Sequence, residues 1–260
     1  MMTMELNKTY NENCLDTMSR MPDKFIDLVV TSPPYDGLRK YNGYSFDFES
    51  IAKELFRVTK NGGVVVWVVN DATVNGSETG TSFKQALFFI ECGFNLHDTM
   101  IWTKDGGGAI GSMNCYTQNF EYMFVLSKGT PKTINLIKDK INDSFGKMKG
   151  GVEISGRRKV TGELKKEIRK PANEYSRRNN YWYIPPQAGE HPAVFPEKLV
   201  RDHLISWSNE SDLIYDPFMG SGTTAKIASL NNRNWIGSEI SKEYCDIIEK
   251  RIYNALGMFQ

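Results

Sequence analysis

Leu213-Ile214-Tyr215-Asp216-Pro217-Phe218-Met219-Gly220-Ser221-Gly222-Thr223-Thr224 decides the fold of this 260-residue chain. A short apolar strand runs into a Gly-x-Gly turn, and a helix begins at about Thr223. Glycines permit a tight turn and let a ligand approach the backbone closely. The helix start offers free backbone N–H groups. The next strand is followed by Glu239, 17 residues beyond Gly222. A carboxylate there can accept both ribose hydroxyls of a nucleoside. A Gly-x-Gly alone is weak evidence, since it also serves as a plain structural turn. With the strand before it, the helix after it and Glu239, it points to a nucleoside-type ligand. No third glycine stands at dinucleotide spacing and no Gly-Lys-Ser/Thr is present for phosphates, which disfavours NAD and ATP. S-adenosylmethionine carries a nucleoside and no phosphate, and fits better.

Outward from this turn, short apolar runs alternate with helical patterns. The strand candidates are Ile26–Val30, Val64–Val69, Thr99–Trp102, Tyr122–Leu126, Leu213–Tyr215 and Asn234–Gly237. The second is rich in Val and Trp, as expected of a strand covered on both faces. Helical stripes are expected over Phe48–Val58, Phe83–Ile90, Glu197–Trp207 and Lys242–Ala255. Such alternation predicts an α/β fold with a parallel sheet and helices on both faces.

The net charge of +1 hides an asymmetry. From Lys128 to Arg178 there are 15 Lys and Arg against 6 Asp and Glu, a net of +9, while the rest of the chain carries −8. One face for nucleic acid is the implied partner surface. The stretch from Thr130 to Asn180 lacks apolar periodicity and reads as an insertion or small subdomain. Cys14, Cys92, Cys115 and Cys245 form no C-x-x-C pair, and His97, His191 and His203 show no zinc-ligand spacing, so no metal site is expected. No apolar run reaches the roughly 18 residues that a bilayer requires. Residues 1–13 lack the apolar core of a signal peptide. Free cysteines in a reducing cytoplasm and no membrane partner are the expectation.

A second stretch, Asp27-Leu28-Val29-Val30-Thr31-Ser32-Pro33-Pro34-Tyr35-Asp36, ends a strand against two prolines and a ring. Prolines fix φ and lack an N–H, so the loop is stiff and its carbonyls are free to accept. By itself it also reads as a rigid turn.

Together, "TSPPY" and "DPFMGSGTT" resemble the motifs of the amino-methylating DNA methyltransferases, over nearly the whole chain. In that family a [DNS]-P-P-[YFW] motif is catalytic and an F-x-G-x-G motif binds S-adenosylmethionine. The catalytic motif comes first here, which is the permuted order of the β group, with the target-recognition region between the two. The resemblance implies a Rossmann-like methyltransferase fold with a mixed, mostly parallel seven-stranded sheet. It divides the chain into a catalytic part (1–128), a basic target-recognition insertion (129–186) and a cofactor-binding part (187–260). It also implies a flipped-out base in duplex DNA, with Ser32, Pro33, Pro34 and Tyr35 as catalytic residues. The Ser32 hydroxyl oxygen and the Pro33 carbonyl are the candidate acceptors for the amine N–H groups, and Tyr35 stacks on the base.

The cofactor residues implied are Thr31, Asp216, Phe218, Gly220, Ser221, Gly222, Thr223, Glu239 and Ile240. His191, Pro192 and Phe195 match a segment that closes over the methionine part of the cofactor. Asn13 stands where the family often has an aspartate facing the adenine; it keeps a carbonyl acceptor without the charge. An aspartate at position 32 usually goes with adenine in this family and a serine more often with cytosine, so cytosine-N4 is favoured over adenine-N6. Arg39, Lys40, Tyr41 and Tyr44 suit a flap over phosphate and base. Arg157, Arg158, Lys159, Arg177 and Arg178 are the DNA candidates of the basic segment. Asn70 and Asp71 either rim the pocket or form a turn. The family's frequent homodimers and restriction endonuclease companions are further expected partners. A protein or RNA methyltransferase and an inactive DNA-binding relative are the rival readings. The motif order opposes the first and the intact motifs oppose the second.

Overall fold

The computed structural model describes residues 4–34, 46–104, 116–147, 150–151, 153–158, 160–168, 170–186 and 195–257. The chain divides into two compact units, one of residues 1–135 and 180–260 and one of Leu136–Asn179.

The larger unit carries β1 (Lys8–Tyr10), α1 (Cys14–Arg20), β2 (Ile26–Thr31), α2 (Phe48–Val58), β3 (Thr59–Val69), the short β4 (Thr73–Val74) and β5 (Ser77–Glu78), α3 (Thr81–Glu91), β6 (Asn95–Thr103) and β7 (Phe120–Ser127). The smaller unit holds β8 (Lys140–Ile141), β9 (Glu153–Arg158), β10 (Leu164–Ile168) and β11 (Tyr175–Ser176). The larger unit then resumes with β12 (Tyr181–Tyr183), α4 (Glu197–Trp207), β13 (Leu213–Asp216), α5 (Thr223–Leu230), β14 (Asn234–Ser238) and α6 (Lys242–Ala255).

The main sheet has eight strands among the described residues, in the order β1-β14-β13-β2-β3-β7-β6-β12. Only β7 runs against its neighbours. The sheet thus contains one strand more than the seven expected, because β12 adds to β6 in parallel, with Trp182 opposite Trp102. Tyr181–Tyr183 thus belong to the main sheet, just beyond the end of the smaller unit at Asn179.

Val64 to Val69 are all fully or almost fully buried, as a central strand demands. Trp67 lies in that run; its indole N–H donates to Gln85 Oε1 at 2.8 Å, so the polar tip is satisfied inside the core. Phe89 packs edge-on against it at 5.1 Å. Helix starts follow their caps: Asp47 Oδ1 accepts from Ser50 N ahead of α2, and Ser241 Oγ from Tyr244 N ahead of α6. His203 is wholly buried, and burial pushes it down to about 3, which keeps the ring neutral.

The connection β2–α2–β3 leads one way across the sheet and β13–α5–β14 the other. The order therefore reverses between β13 and β2. In open α/β sheets a ligand crevice forms outside the carboxyl ends of the strands at such a point.

In the smaller unit, β9 pairs antiparallel with β10 and β11 with β8. Arg178 Nε donates to Asp139 at 2.9 and 3.1 Å and tethers the end of the unit to its beginning. Ile141, Phe145, Leu164 and Ile168 are exposed, so among the described residues of this unit much of the apolar surface faces outward.

Candidate active site

The strands of both quoted stretches, β2 and β13, end at the reversal point. Thr31, the last residue of β2, donates its hydroxyl to Asp216 Oδ1, at the end of β13, at 2.7 Å. Thr224 Oγ1 donates to Val30 O at 3.2 Å, so the start of α5 is also pinned to β2. Asp216 faces inward: the same Oδ1 accepts from Phe218 N at 3.0 Å. Burial raises its carboxyl above the ordinary value, opposed by these hydrogen bonds.

Gly220 and Gly222 take φ of +50° and +79°, the left-handed region that favours glycine. A Cβ on Gly222 would stand 2.7 Å from Ile248 Cγ1, so α6 closes in on the turn from behind. The turn is fastened to the end of β14 as well. Gly220 N donates to Glu239 Oε2 at 2.8 Å, and Ser241 N to Oε1 at 2.9 Å. Burial raises the Glu239 carboxyl, while the backbone N–H groups of Ser241, Gly220 and Ile240 hold it down. Two carboxylate oxygens offer about four acceptor sites, so three N–H donors leave acceptor capacity for a ligand.

Two residues that sequence reasoning missed complete this side. Asn11 Nδ2 donates to the carbonyls of Glu239 at 2.9 Å and Ile240 at 3.1 Å and fixes the acidic residue's backbone. Arg251, on α6, donates to Ser221 O at 2.6 Å and Ser221 Oγ at 2.7 Å. Glu197, in the first turn of α4, takes Lys226 Nζ at 2.7 Å and Arg251 at 3.4 Å. This chain of ions joins the middle of the glycine turn to the helix that begins two residues after Phe195. No local pattern marks either residue; each contact exists only once the strands are assembled.

The side carrying Ser32, Pro33 and Pro34 is simpler. Ser32 and Pro34 are half-buried and Pro33 is buried, directly beyond β2. Beside them, past the end of β3, Asn70 accepts from Gln118 Nε2 at 3.0 Å and donates to Phe120 O at 3.2 Å. Asp71 is buried; its Oδ1 accepts from Ser82 N at 2.9 Å and from Thr79 Oγ1 at 3.3 Å. It therefore organises the start of α3 rather than a pocket wall.

The other expected residues divide. Phe218 is half-buried and packs edge-on against Phe46 at 5.7 Å. Asn13 caps α1 by accepting from Leu15 N at 2.9 Å. Ile240 is exposed next to Glu239. Arg177 is exposed in the smaller unit, while Arg178 is held by Asp139. Tyr35, Arg39, Lys40, Tyr41, Tyr44, Lys159, His191 and Pro192 lie outside the described residues, as do the side chains of Arg157 and Arg158.

The residues present fit an S-adenosylmethionine. Thr223 Oγ1, at the first turn of α5, is buried with no hydrogen-bond partner among the described residues. An orphaned polar atom beside two left-handed glycines and a carboxylate with spare lone pairs is what a polar nucleoside ligand satisfies.

The family model described as DNA methylase, covering N6 and N4 enzymes, matches residues 26–250. The chain is 57% identical to the orphan methyltransferase M.BamHII of Bacillus amyloliquefaciens over 243 residues, covering 89% of this chain and 90% of that one. The solved PvuII DNA methyltransferase (cytosine-N4-specific) superposes with a TM-score of 0.70 at 22% identity, over 96% of this chain and 87% of that one. The M1.HpyAVI–SAM complex does so with a TM-score of 0.61 at 22% identity, over 94% and 98%. No described helix is long and apolar enough to cross a membrane. This chain therefore belongs to the family of DNA amino-methyltransferases, enzymes that take the methyl group of S-adenosylmethionine to the N4 amine of cytosine or the N6 amine of adenine.

Proposed function

We propose that this enzyme methylates the N4 amine of a cytosine flipped out of duplex DNA, with Ser32 and Pro33 as the acceptors that orient the amine. The observation that carries the choice of base is Ser32 itself. The family covers both bases, and a neutral hydroxyl at this position can orient an amine but cannot take up positive charge as a carboxylate could.

S-adenosylmethionine, held by the Gly220–Thr223 turn and Glu239, supplies an electrophilic methyl group. The amine's lone pair is delocalised into the ring, so the protein's task is to free it. Ser32 Oγ and the Pro33 carbonyl accept its two N–H groups and favour a pyramidal nitrogen. The prolines keep both acceptors in place without a backbone N–H that would compete for them. Because the acceptors sit at the end of β2 and the cofactor turn at the end of β13, the Thr31–Asp216 bond sets one against the other. The rate gain is then mainly positioning and fixed dipoles. One amine hydrogen is replaced and leaves as a proton to water.

The basic Lys128–Arg178 stretch supplies charge for the phosphates of the duplex. The 57%-identical relative is named an orphan methyltransferase, which supports a solitary modification enzyme over a companion of an endonuclease. The test is to methylate mixed-sequence duplex DNA with isotopically labelled S-adenosylmethionine, digest it and identify the labelled nucleoside by mass spectrometry. N4-methylcytosine is expected. N6-methyladenine would show that Ser32 does not set the base, and no labelled nucleoside would overturn the DNA substrate.

A further inference from the structure

Behind the cofactor side lies a buried chain of hydroxyls that the methyl transfer itself does not use. Tyr215 Oη and Ser238 Oγ stand 2.9 Å apart, Ser238 Oγ donates to Thr17 Oγ1 at 2.9 Å, and Thr17 Oγ1 donates to Glu12 Oε1 at 2.7 Å. Tyr215, Ser238 and Thr17 are all buried. Glu12 closes the chain nearer the surface, where Arg20 Nη1 donates to its Oε2 at 3.1 Å. The chain thus joins β13 and β14 to α1 and to the segment just ahead of it.

The direction of every bond follows from the end group. An ionised carboxylate only accepts, so the Thr17 proton goes to Glu12. Thr17 then accepts from Ser238, and Ser238 from Tyr215, since each hydroxyl has one proton to give. Burial works to raise the Glu12 carboxyl, but the hydrogen bonds from Arg20 and Thr17 outweigh it and hold the carboxyl below its ordinary value, so the end group stays charged. Hydroxyls ordered head to tail polarise one another, so the loss of one weakens the others.

The place of the chain gives it a task. Tyr215 and Ser238 directly precede Asp216, at the end of β13, and Glu239, just past β14. Glu12 and Thr17 bracket Asn13, which stands where the family often has an adenine-facing aspartate. Contacts of 3.5 Å lead from Tyr215 Oη to Cys14 O and from Thr17 Oγ1 to Asn13 O, so the chain also touches the backbone at Asn13. Outside the chain, Glu239 N donates to Tyr10 O at 3.0 Å. The base and the ribose of one nucleoside must meet their partners at a set separation. Whatever holds Asn13 against Glu239 therefore controls the fit of the ligand.

We propose that Glu12, Thr17, Ser238 and Tyr215 are positioning residues for S-adenosylmethionine, a single chain that keeps the adenine side of the site in register with the ribose side. None of the four touches the cofactor; they act through the backbone of Asn13 and Glu239. The proposal rests on the cofactor reading of the Gly220–Thr223 turn and Glu239.

The experiment is titration calorimetry of S-adenosylmethionine on the full chain, with the melting temperature of each variant and its KM and kcat for methyl transfer to duplex DNA. Thr17→Val removes the middle hydroxyl. Its dissociation constant and KM for S-adenosylmethionine should rise about tenfold, the scale of one lost hydrogen bond, with kcat at saturating cofactor unchanged. Thr17→Ser should restore both. Tyr215→Phe deletes only the far end and should weaken binding about threefold. In the Thr17→Val background it should add nothing, because the chain is already cut. Thr59→Val is the control: it deletes a buried hydroxyl that donates to Leu55 O at 2.6 Å, at the amino end of β3. It should lower the melting temperature and leave the affinity as it is. Thr17→Val and Tyr215→Phe variants that melt lower but bind like the wild type would make the chain structural only and overturn the proposal. So would a fall in kcat without a rise in KM, or losses that add in the double variant. Glu239→Gln, run in parallel, separates the two readings. Its binding at wild-type strength removes the cofactor reading, whereas its loss beside a tight-binding Thr17→Val overturns the chain alone.

Discussion

The two sides of the crevice hold their shape by different means. On the cofactor side, between β13 and β14, nearly every polar group is fastened to a neighbour: Gly220 and Ser241 to Glu239, Phe218 and Thr31 to Asp216, Arg251 to Ser221. On the side of Ser32, stiffness comes from the fixed φ of Pro33 and Pro34 and from the burial of Pro33. In the proposed reaction, one side is a hydrogen-bonded mould for a ligand that never changes, and the other is a stiff ledge at which a base arrives from outside. Changes on the first side should therefore alter binding, and changes on the second should alter turnover.

The largest effect on the mould is expected from Gly222→Ala. A left-handed φ and a Cβ 2.7 Å from Ile248 act together, for about 2–4 kcal/mol of lost stability. Calorimetry should show a lowered melting temperature and S-adenosylmethionine affinity reduced at least about tenfold, scaled to that strain. A variant with unchanged affinity would mean that the turn is not the mould. Arg251→Met comes next. It removes two charge-assisted bonds to Ser221 on a partly exposed side chain, so the KM for S-adenosylmethionine should rise about tenfold with kcat nearly unchanged. Arg251→Lys should recover part of the loss, and an equal fall in kcat would place Arg251 elsewhere in the mechanism.

The smallest effect concerns pH. Burial holds the Glu239 carboxyl above its ordinary value of 4.5. Ribose hydroxyls donate to the ionised form, so affinity is full above the raised value and is lost as pH falls through it. Titration calorimetry should find this loss beginning at a higher pH than an exposed glutamate would give, and Glu239→Gln should bind more weakly and without that slope. A wild-type affinity constant down to pH 4.5 would remove Glu239 from the ribose site.

Much of this architecture is legible in the sequence because it is periodic. The stripes over Phe48–Val58, Glu197–Trp207 and Lys242–Ala255 give α2, α4 and α6 with the bounds the structure has. The strands differ mostly by a residue or two, except that β3 begins at Thr59 and β6 at Asn95, where polar residues carry no alternation. Helix α1 is seven residues long, too short for a stripe to emerge. Strand β12 is only three residues long, with Trp182 alone buried and a non-local pairing to β6, so no alternation marks it. The glycine turn and Glu239 are visible as a spacing. Asn11 and Arg251 are not, because their partners lie 228 and 30 residues away along the chain. Asp71 shows the converse: its place past a strand end suits a pocket, yet its bonds to Ser82 and Thr79 make it a helix-start residue.

The contrast between mould and ledge rests on Ser32 acting on the amine alone. The direct measurement is single-turnover methyl transfer to duplex DNA by Ser32→Ala, paired with its S-adenosylmethionine dissociation constant. The account predicts transfer slowed by about 10²–10³-fold, the usual loss for one fixed polar contact to a reacting group, with the dissociation constant unchanged. Transfer near the wild-type rate, or a loss of cofactor affinity that matches the loss of rate, would contradict it.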